Sequence, residues 1–510
     1  MPTAPPARGL VLPPAYARGV TRTPDDTATA PPAATALGLN LLATPLGGLL
    51  QRVPVTAPPQ ATIRDVADLM RRERVSSILL VEQGLLFGLV TDRDLRNRVL
   101  AEGLDPARPV ADIATLAPLT MDAGSPAFEA LSLMSRHNIH HLPVMRDGQI
   151  AGMVTAADLN ERHGTSPVHL AGEIHRQPDI AGIARATQRV PLLQRQLAAA
   201  GASPDSAGRI ITSITDAVTA RLIQLAEARL GPAPVGYAWV AAGSQARREQ
   251  TARSNQDNCL VLDDGYDEAT HGGWFRDFAR FVCDGLAACG YVHCPGEMMA
   301  MTDRWRQPRH RWAHYFRQWI DTPEPMALML TSVFFDLRAV HGQTALLDSL
   351  RAEVLQRTRG NSLFLAHMVG NALKHRPPLG MFGGLRVPRS GEHAGHIDLK
   401  HAGVVPVVDL ARVYALATGL PEVNTQDRLQ AAGGSGEVSP SAARDLGDAL
   451  DFIGRIRLAH QARQAAAGET PDNHAAPAAL SNLERSQLRD AFRVVQELQS
   501  VLAQRYGRTV

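Results

Sequence analysis

An internal repeat constrains this chain more than any other feature. Val75-Ser76-Ser77-Ile78-Leu79-Leu80-Val81 lines up with Ile139-His140-His141-Leu142-Pro143-Val144-Met145 at an offset of 64. The same offset pairs Met70 with Met134, Gly88 with Gly152, Thr91 with Thr155, Asp94 with Asp158 and Leu95 with Leu159. Such a chain must build one supersecondary unit twice and stack the copies. In each copy a helix comes first. Ile63, Val66, Leu69 and Met70 mark it in the first copy, and Phe128, Leu131 and Met134 in the second. Two short apolar strands follow, at 78–81 and 86–90 in the first copy, then a helix from near Asp92. The expectation is a tandem β-β-α repeat over residues 51–165.

The repeat carries chemistry. Gly88-Leu89-Val90-Thr91-Asp92-Arg93-Asp94 matches Gly152-Met153-Val154-Thr155-Ala156-Ala157-Asp158. A strand ends at the threonine and a helix begins. Backbone N–H groups at that start favour a phosphate. An aspartate one turn in can accept hydrogen bonds from both ribose hydroxyls. The plainer reading is helix capping by Thr91 and Asp92. Two copies in matching context favour a ligand. This region resembles a tandem cystathionine β-synthase (CBS) domain pair. The resemblance implies a pseudo-twofold module that binds adenosine nucleotides in the cleft between repeats, with Thr91 and Asp94 at one site and Thr155 and Asp158 at the other. It also implies a homodimer, to which the apolar stretches 66–70 and 131–134 are expected to contribute.

The 510 residues predict about three to four domains in total. Residues 1–50 hold nine of the 35 prolines and are expected to be mostly disordered, with a short packed piece around 39–50. The N-terminal sequence has no uninterrupted apolar run of the kind a secretory signal needs. No apolar stretch of about 18 residues offers a membrane span. A net charge of +2 gives no bulk attraction to nucleic acid or membrane. Four cysteines without a C-x-x-C pair fit a reducing cytoplasm. The stripe Ile210, Ile211, Ile214, Val218, Leu222, Leu225 predicts a helix stopped at Gly231-Pro232. Strands are expected at 237–241, 259–262 and 332–335, completing a unit over 166–345. Residues 346–510 read as a helical bundle with one β-hairpin at 380–400 and a last helix at 481–506. Trp305, Trp312 and Trp319 recur at seven residues, a packing pattern, and Cys283, Cys289, His293 and Cys294 fit no common zinc spacing.

The second chemical signal runs from Gly243 to Asn258: Gly-Ser-Gln-Ala-Arg-Arg-Glu-Gln-Thr-Ala-Arg-Ser-Asn-Gln-Asp-Asn. Glycine lets backbone approach a triphosphate, and an N–H-rich turn holds it. Acidic side chains bind magnesium through oxygen. The arrangement resembles the polymerase β-type nucleotidyltransferase superfamily, an α/β domain. More closely it resembles bacterial nucleotidyltransferases related to protein-PII uridylyltransferase, which join a CBS pair, this module and a helical substrate-binding domain. The resemblance implies that Gly243, Ser244, Arg247 and Arg248 hold the triphosphate. It implies that Asp257 and Asp336 bind Mg (or Mn) and carry the catalysis. Asp336 stands in Phe334-Phe335-Asp336-Leu337-Arg338, read as an aspartate leaving an apolar strand. The first metal position holds Asn255, not aspartate, so it offers a neutral oxygen. The third block, Arg376–Gly380 and Gly391–Lys400, resembles the substrate-binding domain's signature. Of 52 basic side chains only Lys374 and Lys400 are lysine, and Lys400 is expected at the site as a point charge. Two functions follow. One is a nucleotide-sensing transferase that uridylylates or adenylylates a protein or small-molecule acceptor. The other is an inactive transferase fold that binds nucleotide or a partner. Neither involves nucleic acid or a membrane.

Overall fold

The computed structural model describes residues 44–50, 53–137, 139–155, 158–159, 167–252, 254–324, 332–380 and 383–506. The disorder expected for 1–50 therefore falls mostly outside the described residues. Of the packed piece, 44–50 is seen: Leu46 is fully buried and Gly47 N–H donates to Ala123 O at 2.8 Å.

The repeat is realised strand for strand. In the first copy β1 (Thr56–Ala57), β2 (Ser77–Glu82), β3 (Leu85–Thr91) and β4 (Thr115–Leu116) form one sheet in that order. The second has β5 (Met121–Asp122), β6 (His141–Arg146) and β7 (Gln149–Thr155). Ser77 pairs with Thr91 and His141 with Thr155, and both hairpins bulge at matching positions, Leu80/Val81 and Val144/Met145. Each copy also has a two-residue edge strand before its helix, too short for a period-2 signal.

The two copies differ in what they pack against. Helix α1 (Ile63–Glu73) buries Ile63, Val66 and Met70 in a core of its own repeat. Helix α2 (Ala127–His137) buries Phe128, Leu131 and Met134 in a core shared with α3 (Pro167–Arg176) and with a 27-residue helix, α6 (Pro204–Leu230). Val66, Met70, Leu131 and Met134, expected to serve a dimer, are buried within the chain, while Leu69 and Leu133 are half-buried. Between α3 and α6 run α4 (Ile180–Thr187) and α5 (Val190–Ala199). Ser203 caps α6, and Gly231, at φ +83°, ends it as predicted.

The central sheet has the order β12 (Arg306–Pro308), β10 (Asn258–Leu262), β8 (Tyr237–Ala242), β13 (Leu337–Gly342). Beside it β9 (Asn255–Gln256) and β11 (Val292–His293) form a short parallel pair. Every residue of β8 is buried, because both sheet faces are covered. The alternation splits two cores. Tyr237, Trp239, Leu260 and Leu262 face α6 and α8 (Glu268–Ala288). Ala238, Val240, Cys259, Val261 and Leu337 face α9 (Arg309–Asp321) and the C-terminal helices. The tryptophans pack as expected, with the Trp305 and Trp312 rings stacked at 5.9 Å.

Two expectations fail. Residues 332–335 form a 3-10 turn, and the strand begins afterwards at Leu337. Phe334 and Phe335 both turn into the core, so the run carries no strand alternation. In 380–400 no regular hairpin forms among the described residues. Leu379 and Leu385 make one isolated bridge, and β14 (Ile397–Asp398) pairs instead with β15 (His474–Ala475). Pro377, Pro378 and Pro388 lack the N–H groups a ladder needs. The C-terminal region is otherwise helical: α10 (Thr344–Thr358), α11 (Ser362–Ala372), α12 (Val405–Thr418), α13 (Thr425–Ala432), α14 (Pro440–Ala466) and α15 (Asn482–Tyr506). Leu488, Phe492, Val495 and Leu502 of α15 are buried, while Leu483 stays 67% exposed. Among the described residues no helix is long and apolar enough to cross a membrane.

Candidate functional site

Thr91 and Thr155 close their strands with the same capping box. Thr91 N–H and Oγ1–H donate to Asp94 Oδ2 at 2.9 and 2.7 Å, and Asp94 N–H donates back at 3.3 Å. Thr155 and Asp158 repeat this at 2.9, 2.7 and 3.2 Å. Capping is therefore real, and it engages Oδ2 of each carboxylate. The Oδ1 atoms remain: that of Asp94 lies 3.4 Å from Arg98 Nε, and Asp158 has no ion pair among the described residues. Each Thr–Asp pair faces a cavity completed by the other repeat. Thr91 and Asp94 share about 610 Å³ with His137, His140 and His141. Thr155 and Asp158 share about 310 Å³ with Arg74, Ser76 and Ser77. Ser76 Oγ and His141 Nε2 meet at 2.9 Å between the repeats. Burial holds the His141 ring below its usual pKa, against the pull of Asp92 and Asp158.

In the second site, β8 leads into Gly243 at φ +57°, where a Cβ would lie 2.8 Å from Val333 and 3.3 Å from Asp257 Oδ2. Only glycine makes that turn without displacing the wall. Ala242 N–H donates to Asp257 O at 2.9 Å and Gly243 N–H to Asp336 O at 3.1 Å. The single helical turn α7 (Gly243–Ala246), with Ser244 in it, is thus tethered to both aspartates. Arg338 fixes the turn from behind, donating to Asp216 Oδ1 at 3.0 Å, Gln245 O at 2.9 Å and Ala246 O at 3.2 Å.

Asp336 is fully buried in a cage of three guanidiniums. Its Oδ1 accepts from Arg428 at 2.6 Å and Arg412 at 3.0 Å. Its Oδ2 accepts from Arg247 and Arg412, both at 2.6 Å. Despite the cost of burial, the arginines hold the carboxyl far below the usual range. Asp336 as placed ties α12 and α13 to the Gly-Ser motif and does not face an open site. Arg247 also binds Glu249 at 2.8 Å, and Glu249 accepts Thr425 N–H at 2.8 Å.

Asp257 has a different setting. It is partly buried; desolvation pushes its pKa up, opposed by the Cys294 thiol, Lys400 and Arg247. Lys400 is pulled down by burial and by Arg457, and raised by Asp257. The chain therefore brings Asp257, Lys400 and Arg247 into one electrostatic neighbourhood, with Asn255 two residues back along extended chain. Magnesium commonly needs one or two carboxylates, with substrate phosphates completing its shell. Asp257 and the Asn255 amide fit one ion carried in by a triphosphate. They do not fit a two-metal clamp, because the Asp336 oxygens are occupied. Among the described residues no group of three His, Cys, Asp or Glu side chains is placed to hold a metal.

Arg248 does not join this neighbourhood. It sits at φ +60° and pairs with Glu129 of α2 at 3.2 Å. Gln256 and Asn258 of the motif are structural: Gln256 Nε2 donates to Cys283 O and Tyr291 O, and Asn258 Oδ1 accepts Ala300 N–H. Arg412, Arg428 and Glu129 were not legible as partners of these motifs, and Cys294, which fits no zinc spacing, instead faces Asp257. Arg412 had a signal, a buried charge on the otherwise apolar α12, shared only with Asp409.

Comparison with known proteins places these features. The family described as "CBS domain" matches residues 46–101 and 110–162. "Putative nucleotidyltransferase DUF294" matches 188–326, and "Putative nucleotidyltransferase substrate binding domain" matches 362–506. The CBS domain-containing protein YhcV of Bacillus subtilis is 35% identical over 104 residues, 20% of this chain and 74% of YhcV. CBSCBSPB3 of Arabidopsis thaliana is 36% identical over 102 residues, 20% of this chain and 18% of that protein. The solved CBS domain protein PAE2072 from Pyrobaculum aerophilum, complexed with AMP, is 31% identical, with a TM-score of 0.23. That likeness covers 25% of this chain and 98% of the other.

Proposed function

The chain belongs to the CBS-domain-containing proteins, and from that premise we propose that its CBS pair senses an adenosine nucleotide and governs a triphosphate-binding, nucleotidyltransferase-type unit. One arrangement carries the reading: α2 of the second repeat shares its core with α6 through Phe128, Leu131 and Met134, and on the same helix Glu129 is ion-paired to Arg248 of the Gly-Ser motif. In this reading AMP, ADP or ATP occupies a cleft between the repeats. In the Thr91 cleft its phosphate meets the helix start, and in either cleft its ribose meets the Oδ1 atom of Asp94 or Asp158. Cavities of about 610 and 310 Å³ are of ligand size. Homodimerisation through the CBS pair belongs to the same proposal.

The triphosphate lies at the Ser244 turn, with Lys400 and Arg247 supplying positive field. A magnesium or manganese ion bound with it supplies charge neutralisation at Asp257 and Asn255. Transfer attaches a uridylyl or adenylyl group to an acceptor hydroxyl, from a protein or small molecule docked on the helical domain, and pyrophosphate leaves. This is the chemistry of the protein-PII uridylyltransferase relatives the motif resembles. A second reading, triphosphate binding without transfer, is favoured by the closed cage around Asp336, which holds that carboxylate away from an acceptor's proton.

α-Labelled UTP and ATP, with Mg or Mn, separate the readings on the intact protein. Label incorporation or steady pyrophosphate release establishes transfer. Tight triphosphate binding without release establishes the regulator. Failure to bind either triphosphate contradicts both.

A further inference from the structure

A cavity of about 80 Å³ lies where α6, residues 249–251 and α14 meet, bordering the Gly243–Asn258 motif, and Arg457 in its wall acts on the Lys400 ammonium. Its walls are largely apolar, with Pro204, Ile211, Leu450 and Leu458 among them. Of the polar side chains that interrupt them, two stand out. Gln250 is 2% exposed, and neither its Oε1 nor its Nε2 has a hydrogen-bond partner among the described residues. A buried amide left this way forfeits its hydration with no return, and methionine of similar size would avoid the loss. Arg457 also lines the cavity. Its Nε donates to Asn473 Oδ1 at 2.7 Å, yet it makes no ion pair among the described residues. The other charged linings have cations of their own: Asp205 pairs with Arg209, Glu249 with Arg247 and Asp451 with Arg455. Among the described linings Arg457 is the cation without an ion-paired counter-charge, and burial draws its guanidinium down to about 10.

A guanidinium fits a carboxylate through two parallel N–H bonds. A glutamine amide offers one acceptor and two donors, and pairs with another amide. The volume sets the size of the occupant: room for a few heavy atoms, too little for a nucleoside. We infer that this cavity binds a small organic carboxylate that also carries a carboxamide, with Arg457 on the anion and Gln250 on the amide. The site joins the transferase-type unit to the helical domain, and it stands whether or not transfer occurs.

The test uses the full chain and three probes: succinamate, which has both groups, succinate and acetamide. Calorimetry and thermal melting are read on wild type, Gln250→Met and Arg457→Met. Succinamate is expected to bind wild type and raise its Tm. Gln250→Met is expected to raise the ligand-free Tm, weaken succinamate about tenfold or more, and leave succinate unchanged, since it removes only the amide contact. Arg457→Met is expected to lose both anions; if it does not fold, Gln250→Met alone decides. No succinamate binding by wild type, or equal binding by Gln250→Met, overturns the inference and leaves a water-filled packing defect.

Discussion

Arg248 of the Gly-Ser motif and Glu129 of the second CBS helix form an ion pair at 3.2 Å, with their side chains 39% and 16% exposed. A partly exposed pair of this kind contributes only about 0.2–1 kcal/mol. It therefore marks the junction and does not supply most of the coupling. More comes from the shared apolar core, in which Phe128, Leu131 and Met134 pack with the helices α3 and α6 that lead into the transferase-type sheet. The first repeat has no such core. Each cleft is lined by both repeats, so a ligand in either one bears on the second repeat and through it on α6.

Asp336 is expected to be a stability residue first. Asp336→Asn leaves Arg247, Arg412 and Arg428 with one compensating charge fewer in a dry site. Breaking a buried charge cluster at one partner costs about 3–5 kcal/mol. Urea unfolding should show a lower midpoint with an unchanged slope. A variant of wild-type stability that has lost only activity would place Asp336 in the chemistry instead.

The two clefts predict separate effects. Asp94→Ala and Asp158→Ala each remove a charged acceptor, so each should weaken AMP at its own cleft by about 1.5–3 kcal/mol. Binding should need no magnesium. Calorimetry on the intact chain measures both, and unchanged affinity in both variants would remove the sensing role.

His141 gives a pH dependence. Its ring is held below the ordinary 6.5, with burial as the main cause; Asp92 and Asp158 pull it up, His140 and Arg93 down. The folded state then binds fewer protons than the unfolded one near that pH. Its stability contribution is complete above the unfolded value and is lost as pH falls below it. Thermal melting should therefore drop from about pH 7 to about pH 5.5. His141→Gln should flatten that drop and keep a partner for Ser76.

Asn255 predicts metal behaviour. Its neutral oxygen holds a divalent ion weakly, so triphosphate binding should need high Mg or prefer Mn. Asn255→Asp should raise metal–triphosphate affinity, and Asp257→Ala should abolish the metal-dependent part. Titrating Mn at fixed triphosphate reads both. No response in either variant would remove the metal from this site.

Much of this was legible in the sequence, for local reasons. The repeat register, the Thr–Asp caps, the Gly243 turn and the Gly231 stop depend on residues a few positions apart. What was not legible depends on distant packing. The strand expected at 332–335 became a turn because an aromatic core took both phenylalanines. The edge pairing of Ile397–Asp398 went to His474–Ala475, far along the chain. Arg248 looked like a phosphate ligand, and only the position of α2 shows its partner to be Glu129. Asp336 looked like a metal ligand, and Arg412 and Arg428 arrive from helices that follow it by many turns.

If the CBS pair and the transferase-type unit are thermodynamically coupled, triphosphate affinity depends on AMP. The affinity of the intact chain for UTP or ATP, with Mn, is determined with and without saturating AMP. ATP can enter the CBS clefts as well, so UTP is the cleaner probe. The account predicts a change of at least about fivefold, the low end of ordinary allosteric coupling. It also predicts the reciprocal change in AMP affinity when the triphosphate is present. Asp94→Ala and Asp158→Ala should each reduce the effect, because both clefts are lined by the second repeat. AMP bound at full occupancy with no change in triphosphate affinity would contradict the account.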